Sequence, residues 1–300
     1  MQYTELGKTG ITVSKLGLGG APIGGDFSDI TDPKAIEVIH AALDLGVNFF
    51  DTAPLYGRGE SERRFGIALK GRRENIVLAT KAVMRGDSYS YDNTIQCVEE
   101  SLQRLQTDYI DLIQLHEAEC TTYEEAMEGT MAAFLKLKEQ GKVRAIGVNA
   151  GQTELLIPYI KSGKIDTIQT FSKYMLIDHT AKDELIPLAK KMNVGVINGS
   201  PLGMGVLADA PAPFLLKNTA LLAEAEKRKE QISFLRKTEP KGLIEPAMRF
   251  SLSHPNIAVT LTGTTSLNSL KKNARYCDGR GLTEDEQRRV YELFDQRPLH

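Results

Sequence analysis

The chain has 300 residues, of which 41% are hydrophobic and 25% are charged, and its formal net charge is −2. No Lys/Arg block alternates with aromatic residues, so a nucleic-acid partner is not expected. The longest apolar run is far shorter than a bilayer span, and residues 1–5 carry no apolar signal core. We therefore expect a cytoplasmic protein without a membrane partner.

The residues that commonly bind metals are scattered. Cys97, Cys120 and Cys277 lack the spacing of a metal site, which predicts reduced thiols. The histidines outside the strand ends also have no second metal-binding residue at the spacing of a metal site. We therefore expect these histidines to be structural or on the surface, and we expect no metal centre. These histidines are His40, His179, His254 and His300.

In chain order, short strands at 3–6 and 11–13 flank Gly7-Lys8-Thr9-Gly10 and predict a β-hairpin that closes the amino-terminal mouth of the fold. Strands and helices then alternate. Further strands are expected at 16–20, 48–50, 76–79, 109–115, 145–148, 167–169, 194–197 and 258–262. Helices are expected from Asp32 onward and at 60–69, 93–105, 123–140, 153–161, 182–192, 223–236 and 284–294.

Eight alternating units in a chain of this length predict an α/β fold, a closed (β/α)8 TIM barrel, which typically needs about 250 residues. We expect one domain, 1–300, with the hairpin at 1–14, an insertion at 203–239 after the seventh barrel strand, and a closing C-terminal helix. The insertion's helical run is expected to be solvated. A doubly wound fold is disfavoured because residues 18–22 lack its glycine fingerprint and Pro22 should prevent a helix from opening there.

Three successive strands end in ionisable residues: Asp51, Lys81 and His116. Tyr56 follows the first of them after a proline-containing turn. Lone buried charges are costly, so a single such ending would be ascribed to packing, but three in register are hard to explain that way. Catalytic residues of barrel folds lie at the carboxyl ends of the strands, so an active site is predicted at this rim.

The run Asp51-Thr52-Ala53-x-x-Tyr56-Gly57-x-x-Glu60, followed by the strand-end lysine and histidine, resembles the aldo-keto reductase superfamily over nearly the whole chain. Residues 197–205 and 247–253 resemble most the sugar 1-dehydrogenase branch, which includes L-galactose dehydrogenase-like proteins. The resemblance implies a nicotinamide cofactor, NAD or NADP, with C4 facing the substrate carbon.

The four rim residues suit proton transfer. A tyrosine hydroxyl has a pKa near ~10 in water, so proton exchange with a carbonyl oxygen near neutrality requires a lower value. A nearby ammonium favours the tyrosinate. We therefore expect Tyr56 to act as general acid/base, with its pKa lowered by Lys81. Asp51 would hold and orient Lys81, and neutral His116 would hydrogen-bond the substrate oxygen.

The cofactor candidates follow partly from the fold and partly from the resemblance. Phosphate sites in barrels often lie in the loops after strands seven and eight, where small residues let backbone N–H groups approach an anion. Gln169 matches the family position that binds the nicotinamide carboxamide. The candidates are Gly20, Ala21, Asp51, Asn149, Gln169, Ser200, Pro201, Leu202, Gly203, Gly205, Gly263, Thr264, Thr265, Ser266 and Asn273.

The chain departs from the family pattern at several of these positions. Asn149-Ala150 replaces a common Ser-Asn. Gly199 replaces a tyrosine that stacks on the nicotinamide, and Phe171 or Tyr174 could substitute. The arginine that binds the 2′-phosphate of NADP aligns with Ser266 or Ser269, which weakens phosphate recognition. Asn273 retains the adenine-side asparagine, and Lys272, in place of a common Glu, could compensate together with Lys271. NAD is therefore favoured.

Substrate-side candidates come from loops: Ala21, Pro22, Ile23, Met84, Arg85, Glu117 and Glu119. The chain has no Trp, and a hydrocarbon-specific pocket would need aromatic residues in these loops. Glu117 and Glu119 could instead accept hydrogen bonds from sugar hydroxyls, or both could face water.

These observations favour an NAD(P)-dependent oxidoreductase acting on an aldose or a small aldehyde or ketone. The alternatives are a Schiff-base aldolase with Lys81 as nucleophile and a non-catalytic nicotinamide-binding regulator. The substrate, the reaction direction and the oligomeric state are not fixed by the sequence.

Overall fold

A computed structural model of the protein describes residues 1–299. His300, expected to be structural or on the surface, lies outside the described residues. The strands are β1 (Tyr3–Glu5), β2 (Thr12–Ser14), β3 (Leu16–Gly19), β4 (Phe49–Asp51), β5 (Val77–Ala82), β6 (Ile110–Leu115), β7 (Val143–Ala150), β8 (Thr167–Phe171), β9 (Gly195–Gly199) and β10 (Val259–Thr262). Within residues 1–299, eight parallel strands close into a barrel in the order β10-β3-β4-β5-β6-β7-β8-β9. The predicted barrel and the antiparallel hairpin of β1 and β2 are confirmed.

The helices are α1 (Ala21–Gly24), α2 (Asp32–Asp44), α3 (Glu60–Leu69), α4 (Tyr91–Leu105), α5 (Tyr123–Glu125), α6 (Met131–Glu139), α7 (Thr153–Ser162), α8 (Leu185–Lys191), α9 (Thr219–Gln231), α10 (Ile244–Leu252), α11 (Leu267–Arg275) and α12 (Glu284–Phe294). A π-helical turn, Ala126–Thr130, joins α5 to α6. Among residues 1–299, none of these helices is both long and apolar enough to cross a bilayer.

Successive side chains of each barrel strand point alternately outward and inward. Outward residues such as Phe50, Leu78 and Ile113 pack in the large core beneath the helices. Inward residues such as Phe49 and Ala79 belong to a second, smaller core inside the barrel. The inward positions beyond this inner core, towards the carboxyl ends of the strands, are the ones available to polar side chains.

The hairpin closes the amino-terminal end of the barrel, as predicted. Leu6, Ile11 and Val13 are buried in the same inner core as Phe49 and Val77. The opposite, carboxyl-terminal end is therefore where the barrel interior opens to solvent.

Pro22 does not prevent a helix from opening after β3, so that prediction was wrong. Helix α1 begins at Ala21 and carries Pro22 in its first turn. The missing N–H of a proline is harmless there, because first-turn N–H groups have no intrahelical acceptor.

Two features of the region after β9 also differ from expectation. Helix α10 was not predicted. Helix α9 ends at Gln231 and is not merely solvated, because Arg228 is 6% exposed. Its guanidinium donates hydrogen bonds to the carbonyl oxygens of Ile177, Arg297 and Pro298. This helix therefore anchors the C-terminal segment.

The closure of the barrel by the hairpin can be tested at Gly7. Its φ is +56°, and a Cβ there would lie 2.3 Å from the backbone nitrogen of Gly195. Gly7→Ala should lower the free energy of unfolding by about 2–4 kcal/mol, from left-handed strain plus steric overlap. Gly10→Ala is the matched control, since Gly10 has a φ of +68° with no atom within 4 Å. Equal losses for the two variants in urea unfolding would contradict the close packing of the hairpin.

Candidate active site

The strand-end residues converge at the carboxyl-terminal rim of the barrel. Asp51 is the last residue of β4, Lys81 lies in β5, and His116 directly follows β6. Asp51 is in register with Ala79 of β5, and Lys81 lies two residues further on, on the same inward face. The alternation of the strands therefore brings the carboxylate and the ammonium together.

Asp51 and Lys81 form a buried ion pair. Lys81 Nζ lies 2.7 Å from Asp51 Oδ2, and the Lys81 side chain is 0% exposed. Lys81 also donates a 2.9 Å hydrogen bond to the carbonyl oxygen of Thr52. Gln114 donates a 3.2 Å hydrogen bond to the other carboxylate oxygen, Oδ1. Sequence reasoning missed Gln114, although it lies two residues before His116 and so on the same face of β6.

Tyr56 is positioned by the turn after β4. Gly57 has a φ of +59°, and a Cβ there would lie 2.2 Å from the carbonyl oxygen of Gly24, so α1 packs closely on this turn. The Tyr56 ring centroid lies 4.9 Å from Lys81 Nζ. It lies 6.0 Å from the His116 ring, with the two ring planes perpendicular. The phenol, the ammonium and the imidazole thus form one cluster.

The charge states of this cluster differ in part from expectation. Burial alone would lower the pKa of Lys81, but attraction to Asp51 and Tyr56 outweighs it, and the pKa is raised. Burial raises the pKa of the Tyr56 phenol above its ordinary value, while the attraction of Lys81 lowers it by less. The expected net lowering of the Tyr56 pKa was therefore wrong, because desolvation of the phenolate exceeds the effect of the ammonium.

His116 is neutral at physiological pH. Its pKa lies well below the ordinary value, first because the ring is buried and then because Lys81 and Arg85 repel a second positive charge. A neutral imidazole has one N–H donor and one acceptor nitrogen. It can therefore donate a hydrogen bond to a ligand oxygen, as the sequence suggested.

A cavity of about 880 Å³ lies at this rim, and Asp51, Tyr56 and His116 are among its lining residues. Most of the cofactor candidates line the same cavity: Gly20, Ala21, Asn149, Gln169, Ser200, Pro201, Leu202, Gly205, Gly263, Thr264 and Asn273. Gly203, Thr265 and Ser266 do not line it, and Lys81 lies behind Asp51 and Tyr56. The rim residues and the proposed cofactor side are thus parts of one continuous space.

The loop after β9 does not present its glycine N–H groups to this space. The N–H of Gly203 donates to the carbonyl oxygen of Ser200 at 2.8 Å, and the N–H of Gly205 donates to that of Leu202 at 3.2 Å. The tight turn therefore uses these two N–H groups internally, and anion binding by this loop stays a prediction. Ser266 caps α11 by accepting a hydrogen bond from the N–H of Ser269.

Gln169 and Asn149 differ in their remaining hydrogen-bonding capacity. Asn149 accepts from the N–H of Glu117 and donates to the carbonyl oxygen of Gln169. Among the described residues, Gln169 Oε1 is buried and has no hydrogen-bond partner. Because Gln169 lines the cavity, this oxygen is available to accept a hydrogen bond from an N–H or O–H of a molecule in the cavity.

Phe171 and Tyr174, the two candidates for the ring that replaces the missing tyrosine, lie in different environments. Phe171 lines the cavity, and a Cβ on Gly199 would lie 3.1 Å from the Phe171 Cβ. Tyr174 does not line the cavity, because it stacks on Phe250 at 4.7 Å and its hydroxyl lies 2.8 Å from that of Tyr291. Only Phe171 of the pair can contact a ligand in this space.

Of the residues predicted to lie near the adenine, Ser269 and Lys272 line the cavity and Lys271 does not. Lys272 Nζ pairs with the carboxylate of Glu239 at 3.2 Å. Asn273 donates a 2.7 Å hydrogen bond to the hydroxyl of Thr262. The lysine expected to act as a free point charge therefore carries its own counter-ion, which the sequence did not reveal.

Only some of the residues predicted to contact the substrate line the cavity. Ala21, Pro22 and Glu117 line the cavity, whereas Ile23, Met84, Arg85 and Glu119 do not. Glu119 accepts hydrogen bonds from the backbone N–H groups of Gly151 and Gln152 instead. Two aromatic residues that sequence reasoning missed, Phe27 and Phe214, line the cavity from loops. The cavity therefore has aromatic side chains despite the absence of Trp, and the preference for sugar hydroxyls stays a prediction.

The remaining histidines lie elsewhere. His40 Nε2 is 2.8 Å from the carbonyl oxygen of Ala68, and His179 and His254 pack against aromatic rings. Among residues 1–299, no group of three or more His, Cys, Asp or Glu side chains is arranged to hold a metal ion.

The Asp51–Lys81 pair predicts a specific non-additivity. Asp51→Asn should lower the free energy of unfolding at neutral pH by about 3–5 kcal/mol, because it leaves a buried ammonium without its counter-ion. Asp51→Asn combined with Lys81→Met should recover part of this loss, since the unpaired charge is then gone. A double variant as unstable as the sum of the single variants, measured by urea unfolding, would contradict the pairing.

The comparisons with known proteins agree on one family. Residues 15–295 match the profile of the Aldo/keto reductase family. The chain is 32% identical over 281 residues to L-galactose dehydrogenase of Arabidopsis thaliana, covering 91% of this chain and 87% of that protein. It is 35% identical over 227 residues to the NADH-specific methylglyoxal reductase of Escherichia coli (strain K12), covering 69% of each.

Among solved structures, the holo form of an aldo-keto reductase from Bacillus halodurans superposes with a TM-score of 0.81 at 29% identity, covering 99% of both chains. The fold, the sequence profile and the similar proteins all lead to the family that the strand-end motif suggested. The chain belongs to the aldo/keto reductase family.

Proposed function

We propose that the protein is an NAD(P)-dependent oxidoreductase that transfers hydride between a nicotinamide and a carbonyl or aldose substrate, with Tyr56 as general acid/base. The observation that carries this proposal is the cluster at one wall of the cavity. Lys81 Nζ lies 4.9 Å from the Tyr56 ring centroid, and the neutral His116 ring lies 6.0 Å from it. The names of the similar proteins, a sugar dehydrogenase and a methylglyoxal reductase, support chemistry at a carbonyl carbon.

The lining residues fit a nicotinamide nucleotide. The unpartnered Gln169 Oε1 suits the N–H of a carboxamide, and Phe171 supplies an apolar surface beside it. Asn273 and Ser269 would lie on the adenine side. When bound, the nicotinamide would carry the hydride, and the protein would hold and orient it.

The charge states suit proton donation by Tyr56. Because burial raises its pKa, the phenol carries a proton at neutral pH, and giving that proton to a carbonyl oxygen during reduction requires a group that stabilises the phenolate. The protonated Lys81 stabilises the phenolate that remains, and Asp51 keeps that ammonium in place. In oxidation the phenolate would accept the hydroxyl proton, and His116 could donate a hydrogen bond to the same substrate oxygen.

A lysine nucleophile is disfavoured. A Schiff base requires a neutral, accessible amine, whereas Lys81 is fully buried and bonded to Asp51 and Thr52. Its pKa is raised because attraction to Asp51 and Tyr56 exceeds the effect of burial. The aldolase alternative therefore has no support from the geometry.

We propose NAD as the preferred cofactor. The arginine of NADP-preferring relatives aligns with Ser266 or Ser269, so a serine replaces it in either register. Lys272 is paired with Glu239. The carboxylate of Glu239 would repel a 2′-phosphate and could accept a hydrogen bond from a ribose hydroxyl.

Tyr56→Phe should reduce turnover by about 10²–10⁴-fold, because the general acid/base is lost while the ring remains. Oxidation of a panel of aldoses and reduction of small aldehydes would be followed by nicotinamide absorbance, with NAD and NADP side by side. Tyr159→Phe, which removes a hydroxyl from helix α7 away from the cavity, is the matched control. Near-normal turnover in Tyr56→Phe would remove the proposed mechanism.

Glu239→Lys should shift cofactor preference towards NADP, with about a tenfold gain in the ratio of NADP to NAD affinity, because one repulsive charge is replaced by an attractive one. Titration of the fluorescence of NADH and NADPH measures both dissociation constants without turnover. Glu139→Lys, on the exposed face of α6, makes the same change of charge away from the cavity. Equal ratios in the two variants would exclude Glu239 as the discriminating residue.

A further inference from the structure

We infer that Glu62 is a positioning residue for the proposed reaction, because it fixes the helix that follows Tyr56 to the strand that carries Lys81. This inference rests on the proposed function and deepens it by naming what sets the distance between the phenol and the ammonium. Glu62 is fully buried and does not line the cavity, so it acts only through the residues that it holds.

Both carboxylate oxygens of Glu62 are bonded to other elements of the fold. Glu62 lies in the first turn of α3. Its Oε1 accepts a 2.6 Å hydrogen bond from the hydroxyl of Thr80 in β5. Its Oε2 accepts a 2.7 Å hydrogen bond from Nε of Arg104 in α4. A buried carboxylate is costly unless it is paired and hydrogen-bonded, and this one is both, so its position is fixed.

Thr80 connects this carboxylate to the ammonium. Thr80 directly precedes Lys81 in β5, and neighbouring side chains of a strand point to opposite faces. The Thr80 side chain therefore reaches outward to α3, while the Lys81 side chain reaches inward to Asp51. Because the two residues share a peptide bond, the contact between Glu62 and Thr80 fixes the backbone of Lys81 relative to α3.

The turn that carries Tyr56 runs directly into the same helix. Residues 57–59 all have a left-handed backbone, with φ values of +59°, +53° and +92°. Arg104 packs against this turn, since a Cβ on Gly59 would lie 2.9 Å from the Arg104 Cδ. By holding Arg104 in place, Glu62 supports the turn from outside as well as through the helix.

Ser61, the neighbour of Glu62, makes further connections to the rim. Its hydroxyl donates a 2.8 Å hydrogen bond to the carbonyl oxygen of Gly20 and accepts one of 2.8 Å from the hydroxyl of Thr52. The carbonyl oxygen of Thr52 in turn accepts the hydrogen bond from Lys81. The first turn of α3 is thus bonded to the ends of β3, β4 and β5, and its position sets the separation of the two reacting groups.

That separation matters because the phenol depends on the ammonium. Burial raises the pKa of Tyr56, attraction to Lys81 lowers it, and Asp51 and Glu117 raise it. The His116 ring beside it is neutral, because its own pKa is lowered by burial. Lys81 is therefore the group that stabilises the phenolate, and its attraction weakens as the distance grows.

The test begins with Thr80→Val, which removes the hydroxyl and keeps the shape of the side chain. Its kcat should fall about tenfold, because the phenol and the ammonium are no longer held in place. KM should stay within about twofold, since Thr80 does not line the cavity. Glu62→Ala should lose at least as much, and Glu62→Gln should restore most of kcat, because an amide can donate to Thr80 and accept from Arg104. Thr94→Val, which removes a buried hydroxyl bonded to the carbonyl oxygen of Ser90 in α4, should leave kcat unchanged.

Crystal structures of the variants separate this inference from the proposed function. The distance from Lys81 Nζ to the Tyr56 ring centroid, 4.9 Å in the wild type, should increase by about 1 Å in Thr80→Val and Glu62→Ala but not in Thr94→Val. If the wild type turns over no carbonyl or aldose and this increase is seen, the proposed reaction is wrong and the positioning role stands. If the distance is unchanged in Thr80→Val, or if Glu62→Gln loses as much kcat as Glu62→Ala, the inference is overturned.

Discussion

The buried ion pair between Asp51 and Lys81 is the constraint around which the active-site rim is arranged. Two opposite charges in a water-excluded interior are stable only when their geometry is good and their remaining hydrogen-bonding groups are satisfied. Here the Lys81 ammonium lies 2.7 Å from Asp51 and 2.9 Å from the carbonyl oxygen of Thr52. Gln114 satisfies the second carboxylate oxygen. Three adjacent strands must therefore keep their register for the pair to exist.

This requirement connects the barrel to the chemistry. A shift of one residue between neighbouring strands would turn an inward side chain outward, and either Asp51 or Lys81 would lose its partner. Tyr56 is not on a strand, so its placement depends on the close contact between Gly57 and Gly24 instead. The rim thus combines two sources of rigidity, namely strand register and a turn that has no room for a side chain.

The features that were predictable from the sequence are those set by periodicity. Alternation and strand ends identified Asp51, Lys81 and His116, and the βα pattern identified the barrel. Gln114 follows the same period but was overlooked, because a neutral amide in an apolar strand carries no distinctive signal. The pKa of Tyr56 was misjudged because a sequence shows a neighbouring charge but not the extent of burial that opposes it.

Features that depend on the path of loops were harder to predict from the sequence. The roles of Glu119, Phe27 and Phe214 depend on where irregular segments fold back, and no repeat in the sequence encodes that path. Gly203 and Gly205 resembled an anion-binding loop by composition, but their N–H groups close the turn itself. Composition identifies a turn, whereas its free donors can be counted only when the hydrogen bonds are known.

The hairpin of β1 and β2 has a consequence for the order of events. Leu6, Ile11 and Val13 fill the amino-terminal end of the barrel. In the proposed reaction, cofactor and substrate would therefore both enter through the carboxyl-terminal end. Two ligands that share one opening bind in a fixed order when one lies beneath the other, because the deeper ligand must then arrive first and depart last. The hairpin, although far from the reacting atoms, would in this way favour an ordered binding of cofactor and substrate.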